Sequence, residues 1–167
     1  VEGNEIRLLG ADGNARAALV LDEKGAPRLR LIDQQGKVRA ALALADDGSP
    51  TLNLFGAKGQ NAVSVGATPE RAYVAVSDGE GRPRATSYAD TKGASFVQTF
   101  RESGEVAAAM SQAGVAVFGA GKERAAVHLS VDEHIAGVKM LDGGEKLRCA
   151  AGVTPEEARR RLDVHAE

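Results

Sequence analysis

Leucine, valine and alanine alternate with polar residues at period two along much of the chain, and glycine-bearing turns interrupt the alternation at regular intervals. The clearest stretch runs Pro27, Arg28, Leu29, Arg30, Leu31, Ile32, then the turn Asp33, Gln34, Gln35, Gly36, then Lys37, Val38, Arg39, Ala40, Ala41, Leu42, Ala43, Leu44. Asp suits the start of a tight turn and Gly supplies positive φ at its end. A four-residue loop predicts Leu31 opposite Val38 and Leu29 opposite Ala40, with Val38, Ala40, Leu42 and Leu44 sharing the face of Leu29 and Leu31. The turn at Asp46, Asp47, Gly48 is expected to set Leu52 against Leu44 and Leu54 against Leu42. The turn at Asp22 to Gly25 is expected to set Leu19 and Leu21 against Leu31 and Leu29.

The turn glycines recur. Gly13, Gly36, Gly59, Gly81, Gly104, Gly121 and Gly144 are separated by 23, 23, 22, 23, 17 and 23 residues, so the chain repeats one hairpin unit. Later copies are Leu52 to Thr68, Tyr73 to Tyr88, Phe96 to Met110, Val115 to Val131 and Ile135 to Val153. The shortened connection before Val115 suggests a bend or a change of layer. The expected fold is all-β: an antiparallel up-and-down meander of about seven hairpin repeats and roughly 14 strands, rolled or folded into two layers, because so large a sheet does not stay flat and uncovered, with a prism-like or solenoid arrangement as the alternative. Residues 1–153 form the repeat domain. In 154–167, Thr154, Pro155, Glu156 and Glu157 make a capping box that predicts a short C-terminal helix over Ala158 to Val164, capping the last strand.

Composition narrows the function. The chain has 167 residues, 43% hydrophobic but only 4% aromatic, with no Trp, so its apolar positions are small and favour close layer packing over a roomy ligand pocket. Lys and Arg number 21 against 23 Asp and Glu, a net charge of -2, which argues against a nucleic-acid partner. The single cysteine, Cys149, excludes an intramolecular disulfide and reads as a small core residue. A membrane barrel is disfavoured by charged outward positions and short arms. The start at Val1 implies a processing site or a preceding segment such as a membrane anchor.

Arginine recurs three residues after the turn glycine, at Arg16, Arg39, Arg84 and Arg124, with Arg148 one place later. The alternation directs these positions outward, as a ladder able to grip an anionic partner, or else as ion pairs with the turn acids. Ala62 and Ala107 interrupt the stripe. The Asp- and Gly-rich turns match no calcium-loop pattern and are explained by turn chemistry. His128, Asp132, Glu133 and His134 are the one cluster resembling a metal or acid/base group, and no third strong ligand is placed. His165 lies in the tail, and no nucleophile or phosphate-loop motif occurs.

The run Gly36, Lys37, Val38, Arg39, Ala40, Ala41, Leu42, followed by Asp47, Gly48, Ser49, Pro50, Thr51, Leu52, Asn53, Leu54, resembles a class of uncharacterised bacterial β-hairpin repeat proteins with units of the form x-Leu-x-Asp-x-x-Gly-x-x-Arg-Ala-x-Leu and Asp-Gly-x-Pro-x-Leu-x-Leu. The match is good over the first three units and degenerates from about Val74. The resemblance implies an extracytoplasmic structural module, periplasmic or in the cell envelope, often anchored by an N-terminal membrane segment, and supplies no catalytic residues. The expected function is therefore a noncatalytic structural and interaction module, an accessory or scaffolding subunit of a bacterial envelope or membrane complex. It would use no cofactor and no metal, and its partners would be proteins or further copies of itself. The alternatives are a binding domain for an anionic polymer or glycan, weakened by the scarcity of aromatic residues, and a metal-dependent enzyme centred on His128 and His134.

Overall fold

A computed structural model describes residues 3–112, 114–119, 126–131, 136–141 and 147–153. The chain divides into two compact units, Val1–Gly93 and Ala94–Glu167. The predicted C-terminal helix, together with Arg124, Asp132, Glu133, His134 and His165, lies outside the described residues.

The first unit is an antiparallel up-and-down sheet of eight strands in sequence order: β1 (Glu5–Leu9), β2 (Ala15–Leu21), β3 (Pro27–Ile32), β4 (Val38–Leu44), β5 (Pro50–Phe55), β6 (Asn61–Ala67), β7 (Arg71–Ser77) and β8 (Pro83–Asp90). In the second unit β9 (Ser95–Phe100), β10 (Val106–Ser111) and β11 (Gly114–Phe118) continue the same pattern, and the backbone segments β12 (Ala126–Val131), β13 (Ala136–Leu141) and β14 (Leu147–Val153) pair in order after them. No described residue is helical. The shortened connection before Val115 is a tight hairpin and not a change of layer, because β10 pairs directly with β11 with Ser111 opposite Gly114.

One turn design closes most of the hairpins whose turns are described. A residue X donates its N–H to the carbonyl of X+4, and the glycine at X+3 donates to the carbonyl of X. This holds for X at Gly10, Asp22, Asp33, Ala45, Gly56, Asp78 and Arg101. The glycine must adopt a left-handed conformation, with φ of 78° at Gly36 and 79° at Gly81, which is why glycine marks the repeat.

The alternation survives, but the register differs from the expected one by two residues. Leu29 pairs with Leu42 and Leu31 with Ala40, while Leu42 pairs with Leu52, Ala40 with Leu54, and Leu19 with Leu29. The cause in β3–β4 is a β-bulge. Ile32 pairs with Val38 and Leu31 with Ala40, leaving Arg39 as an extra residue. Val38 therefore sits opposite Ile32, on the other face from Leu42. In β2–β3 there is no bulge, and the difference comes from the turn alone, which sets Leu21 opposite Pro27.

In the first unit the sheet is a single layer, open at β1, which pairs on one side. The strands of this unit pair in strict sequence order, and none of them stands as a separate sheet over the others. The aliphatic face is accordingly open to solvent: Leu29 is 42% exposed, Leu42 48% and Leu52 41%, whereas the most deeply buried apolar residue described, Ala18 at 6%, lies on the opposite face.

Candidate functional site

Arg16, Arg39 and Arg84, three of the arginines singled out in the sequence, sit among turn carboxylates. In the segments Asp22 to Arg28, Asp33 to Arg39 and Asp78 to Arg84, the spacing Asp-x-x-Gly-x-x-Arg builds one repeated structure. One carboxylate oxygen of Asp33 accepts the N–H groups of Gln35 and Lys37, both at 2.9 Å, and the other accepts Nε of Arg39 at 2.6 Å. Asp78 accepts the N–H groups of Glu80 and Arg82, the guanidinium of Arg84 at 2.6 Å and Nε of Arg82 at 2.9 Å. Asp22 accepts Lys24, Ala26 and Arg28 in the same way. Arg39 also donates to the carbonyl of Gly56 at 2.8 Å, tying its hairpin to the next turn on the same side of the sheet.

Where aspartate is missing at X, another side chain fills its place. Asp12 takes Arg16 in a turn whose X is Gly10, and a Cβ on Gly10 would stand 2.9 Å from the Asp12 carboxylate. At Gly56 the Gln60 side chain occupies the space and accepts the N–H of Lys58.

These contacts fix the charges. The N–H of Lys37, then the guanidinium of Arg39 and the N–H of Gln35, hold the Asp33 carboxyl below the ordinary aspartate range. Asp22 is lowered by the N–H of Ala26 first, then by Lys24 and Arg28. At Asp78 partial desolvation opposes ionisation, and the N–H groups of Arg82 and Glu80 with both guanidinium groups override it, so its carboxyl lies far below that range. Each of these aspartates is an anchor held in its ionised state.

The structure thus places Arg16, Arg39 and Arg84 at equivalent positions, the extra residue of the β1–β2, β3–β4 and β7–β8 bulges. Ala62 and Ala107 hold that position in β5–β6 and β9–β10, and the backbone of Arg148 holds it in β13–β14. The guanidinium groups of Arg16, Arg39 and Arg84 meet turn carboxylates, so an anionic ligand would compete with existing partners. His128 stands in β12 in register with Ala116 and Lys139, while its proposed companions lie outside the described residues. Among the described residues, no three His, Cys, Asp or Glu side chains come together as metal ligands, and no helix is long and apolar enough to cross a membrane.

The two faces of the first unit differ in kind. On one face run three rows in register across all eight strands. The central row is Ile6, Leu19, Leu29, Leu42, Leu52, Val65, Val74, Ser87. On one side of it lies Leu8, Ala17, Leu31, Ala40, Leu54, Val63, Val76, Ala85. On the other lie Asn4, Leu21, Pro27, Leu44, Pro50, Ala67, Ala72 and Ala89. None of the three rows contains an ionisable residue.

The opposite face carries the polar chemistry. Arg7 and Arg30 flank Ala18 in register, and Arg7 pairs with Glu5 at 2.6 Å. Asn53 Oδ1 accepts from Ser64 Oγ at 2.9 Å and from Asn61 Nδ2 at 3.0 Å. Tyr73 pairs with Tyr88 and packs over Gly66, where a Cβ would come within 2.7 Å of its hydroxyl oxygen. Arg71 lies over both rings at 5.9 and 5.7 Å. This face is half-buried under its own side chains, and the aliphatic face is the bare one. Sequence alternation identifies the leucines as one set; their lack of any cover follows from the topology.

Comparison with protein families and with curated proteins finds no match. Among solved structures, the chain is similar to a crystal structure of a mutant of TarM from S. aureus in complex with fondaparinux, alpha-GlcNAc-glycerol and UDP, with a TM-score of 0.41 and 11% identity over 56% of this chain. The similarity spans 19% of that protein's length, and at this level it carries nothing about function.

Proposed function

We propose that the chain is a noncatalytic structural and interaction module that works by docking its aliphatic sheet face. The observation that supports this reading is the three-row face without an ionisable residue, open to solvent across eight strands. A contiguous exposed apolar surface of this extent marks an interaction site rather than an ordinary protein exterior. The side chains with strongest hydrogen-bonding chemistry, the turn aspartates and their arginines, are spent on holding the hairpins in register. In this reading the meander runs through all fourteen arms, the tail from 154 caps it, and a docked layer supplies the second sheet that so large a meander needs. The setting we propose is an accessory or scaffolding subunit of a bacterial envelope complex, supported by the resemblance of its first three units to bacterial hairpin repeats.

The test is capture on the immobilised chain beside a Leu29→Lys, Leu42→Lys variant. Recovery of a stoichiometric protein by the parent chain and not by the variant is expected. A parent chain that stays alone and monomeric, with nothing retained through this face, contradicts the proposal.

A further inference from the structure

We infer that the layer covering the aliphatic face is a second copy of this chain, joined face to face as a two-sheet sandwich; this rests on the interaction reading above and names its partner. Three features of the face lead there. The first is size. Thirteen large aliphatic side chains of the three rows are 36–67% exposed in the first unit, which leaves on the order of 1,000 Å² of apolar surface, more than the ~800 Å² each partner contributes to a stable interface.

The second is charge. A surface meeting its own copy across a two-fold axis confronts each group with the same set of groups, so any ionisable residue near the axis would face its like. The three rows hold none, whereas the other face carries Arg7, Arg28, Arg30 and Arg71. Only the aliphatic face can be turned on itself without desolvating a charge.

The third is relief. The row beside the central one reads Leu8, Ala17, Leu31, Ala40, Leu54 on successive strands, large and small in strict alternation. Neighbouring strands lie about 4.8 Å apart, so this row is a series of leucine knobs and alanine hollows repeating at about 9.6 Å. A two-fold axis parallel to the strands and midway between β3 and β4 sets Leu31 of each copy over Ala40 of the other, and Leu54 over Ala17. Sheets packed at about 10 Å with interdigitated side chains require this fit. A groove made for an unrelated protein has no reason to be its own mould.

The experiment is sedimentation equilibrium and light scattering on the full chain, with circular dichroism to confirm the β signal. The chain, 17.3 kDa, is expected at about twice that mass. Ala40→Arg fills a hollow and puts a charge on the face; it should weaken association by about 100-fold or more while retaining the sheet. Thr51→Lys, on the other face, should associate as the parent does. Should Ala40→Arg lose its β signal, Leu54→Ser shortens a knob without adding charge and is expected to weaken association in the same direction. A parent chain monomeric up to about 100 µM, or association unaffected by Ala40→Arg and Leu54→Ser, overturns the inference. A monomer that still retains a different stoichiometric protein through Leu29 and Leu42 overturns the second copy but leaves the interaction reading standing. A monomer that retains nothing ends both.

Discussion

Hairpins β2–β3 and β3–β4 are closed by the same turn, each with an aspartate at X, a left-handed glycine at X+3 and an arginine at X+6, yet one carries a bulge and the other does not. In β2–β3 Arg28 stands in register on the polar face, opposite Val20. In β3–β4 the equivalent Arg39 is the extra residue. Without the bulge, continuing the Ile32–Val38 pairing would set Arg39 opposite Leu31 and turn Ala41 and Ala43 toward the leucines, sending Leu42 to the polar face. The bulge shifts the ladder by one residue and returns Leu42 to Leu29. A repeat of 23 residues is odd, so strict alternation would present opposite faces in successive copies. One unpaired residue per repeat absorbs the odd count, and the bulged hairpin is where it goes.

The largest effect is expected from breaking the phase of β3 itself. Inserting one alanine between Leu29 and Arg30 moves Leu31 to the polar face and Arg30 among the leucines, and should abolish cooperative unfolding or cost about 3 kcal/mol or more in a denaturant titration. Deleting Arg39 sharpens the comparison from the other side. It removes the extra residue while leaving Leu31 opposite Ala40, so the sheet should survive with a lower melting temperature, set by the lost contacts to Asp33 and Gly56. An insertion in β3 that is tolerated better than this deletion would refute the phasing argument.

The turn itself is tested by a pair of glycines in one hairpin class. Gly36→Ala places a side chain at φ 78° and should cost about 1 to 2 kcal/mol. Gly79→Ala, with open space around it and no left-handed backbone, should be close to neutral.

Acid should reveal the aspartate anchors in both hairpin types. The folded carboxyls of Asp22, Asp33 and Asp78 lie below the ordinary value of 3.8. Their contribution is therefore fully present above that pH and is lost as pH falls through the folded values. Melting temperature should fall on acidification below about pH 4, and Asp33→Asn should flatten that decline. The smallest effect is expected at the outer turn bridge between Lys58 and Glu80, 2.6 Å apart but largely exposed, where Lys58→Ala should change stability by less than about 0.5 kcal/mol.

Much of this architecture is legible in the residues. The alternation gives strands, the glycines give turns, and Leu29, Leu31, Leu42, Leu52 and Leu54 fall on one face as expected. The pairing partners are not legible from alternation, because a shift of two residues preserves the face. The bulge is announced by the odd repeat length and by the arginine that would otherwise fall among leucines, a signal that alternation within one arm does not display. The arginines are visible as a set, but the engagement of Arg39 by Asp33 and of Arg84 by Asp78, six residues earlier, depends on the turn bringing X and X+6 together, and Arg16 reaches Asp12 four residues back instead. The bareness of the leucine face is not written in any single unit, since cover is a property of how sheets stack and alternation is identical with or without it.

The register across β3 and β4 carries the whole account and is directly measurable through cross-strand backbone nuclear Overhauser contacts. Contacts between Leu29 and Leu42 and between Leu31 and Ala40, with Arg39 unpaired, are the expected result. Contacts between Leu31 and Val38 and between Leu29 and Ala40 would show a hairpin without the bulge and contradict it.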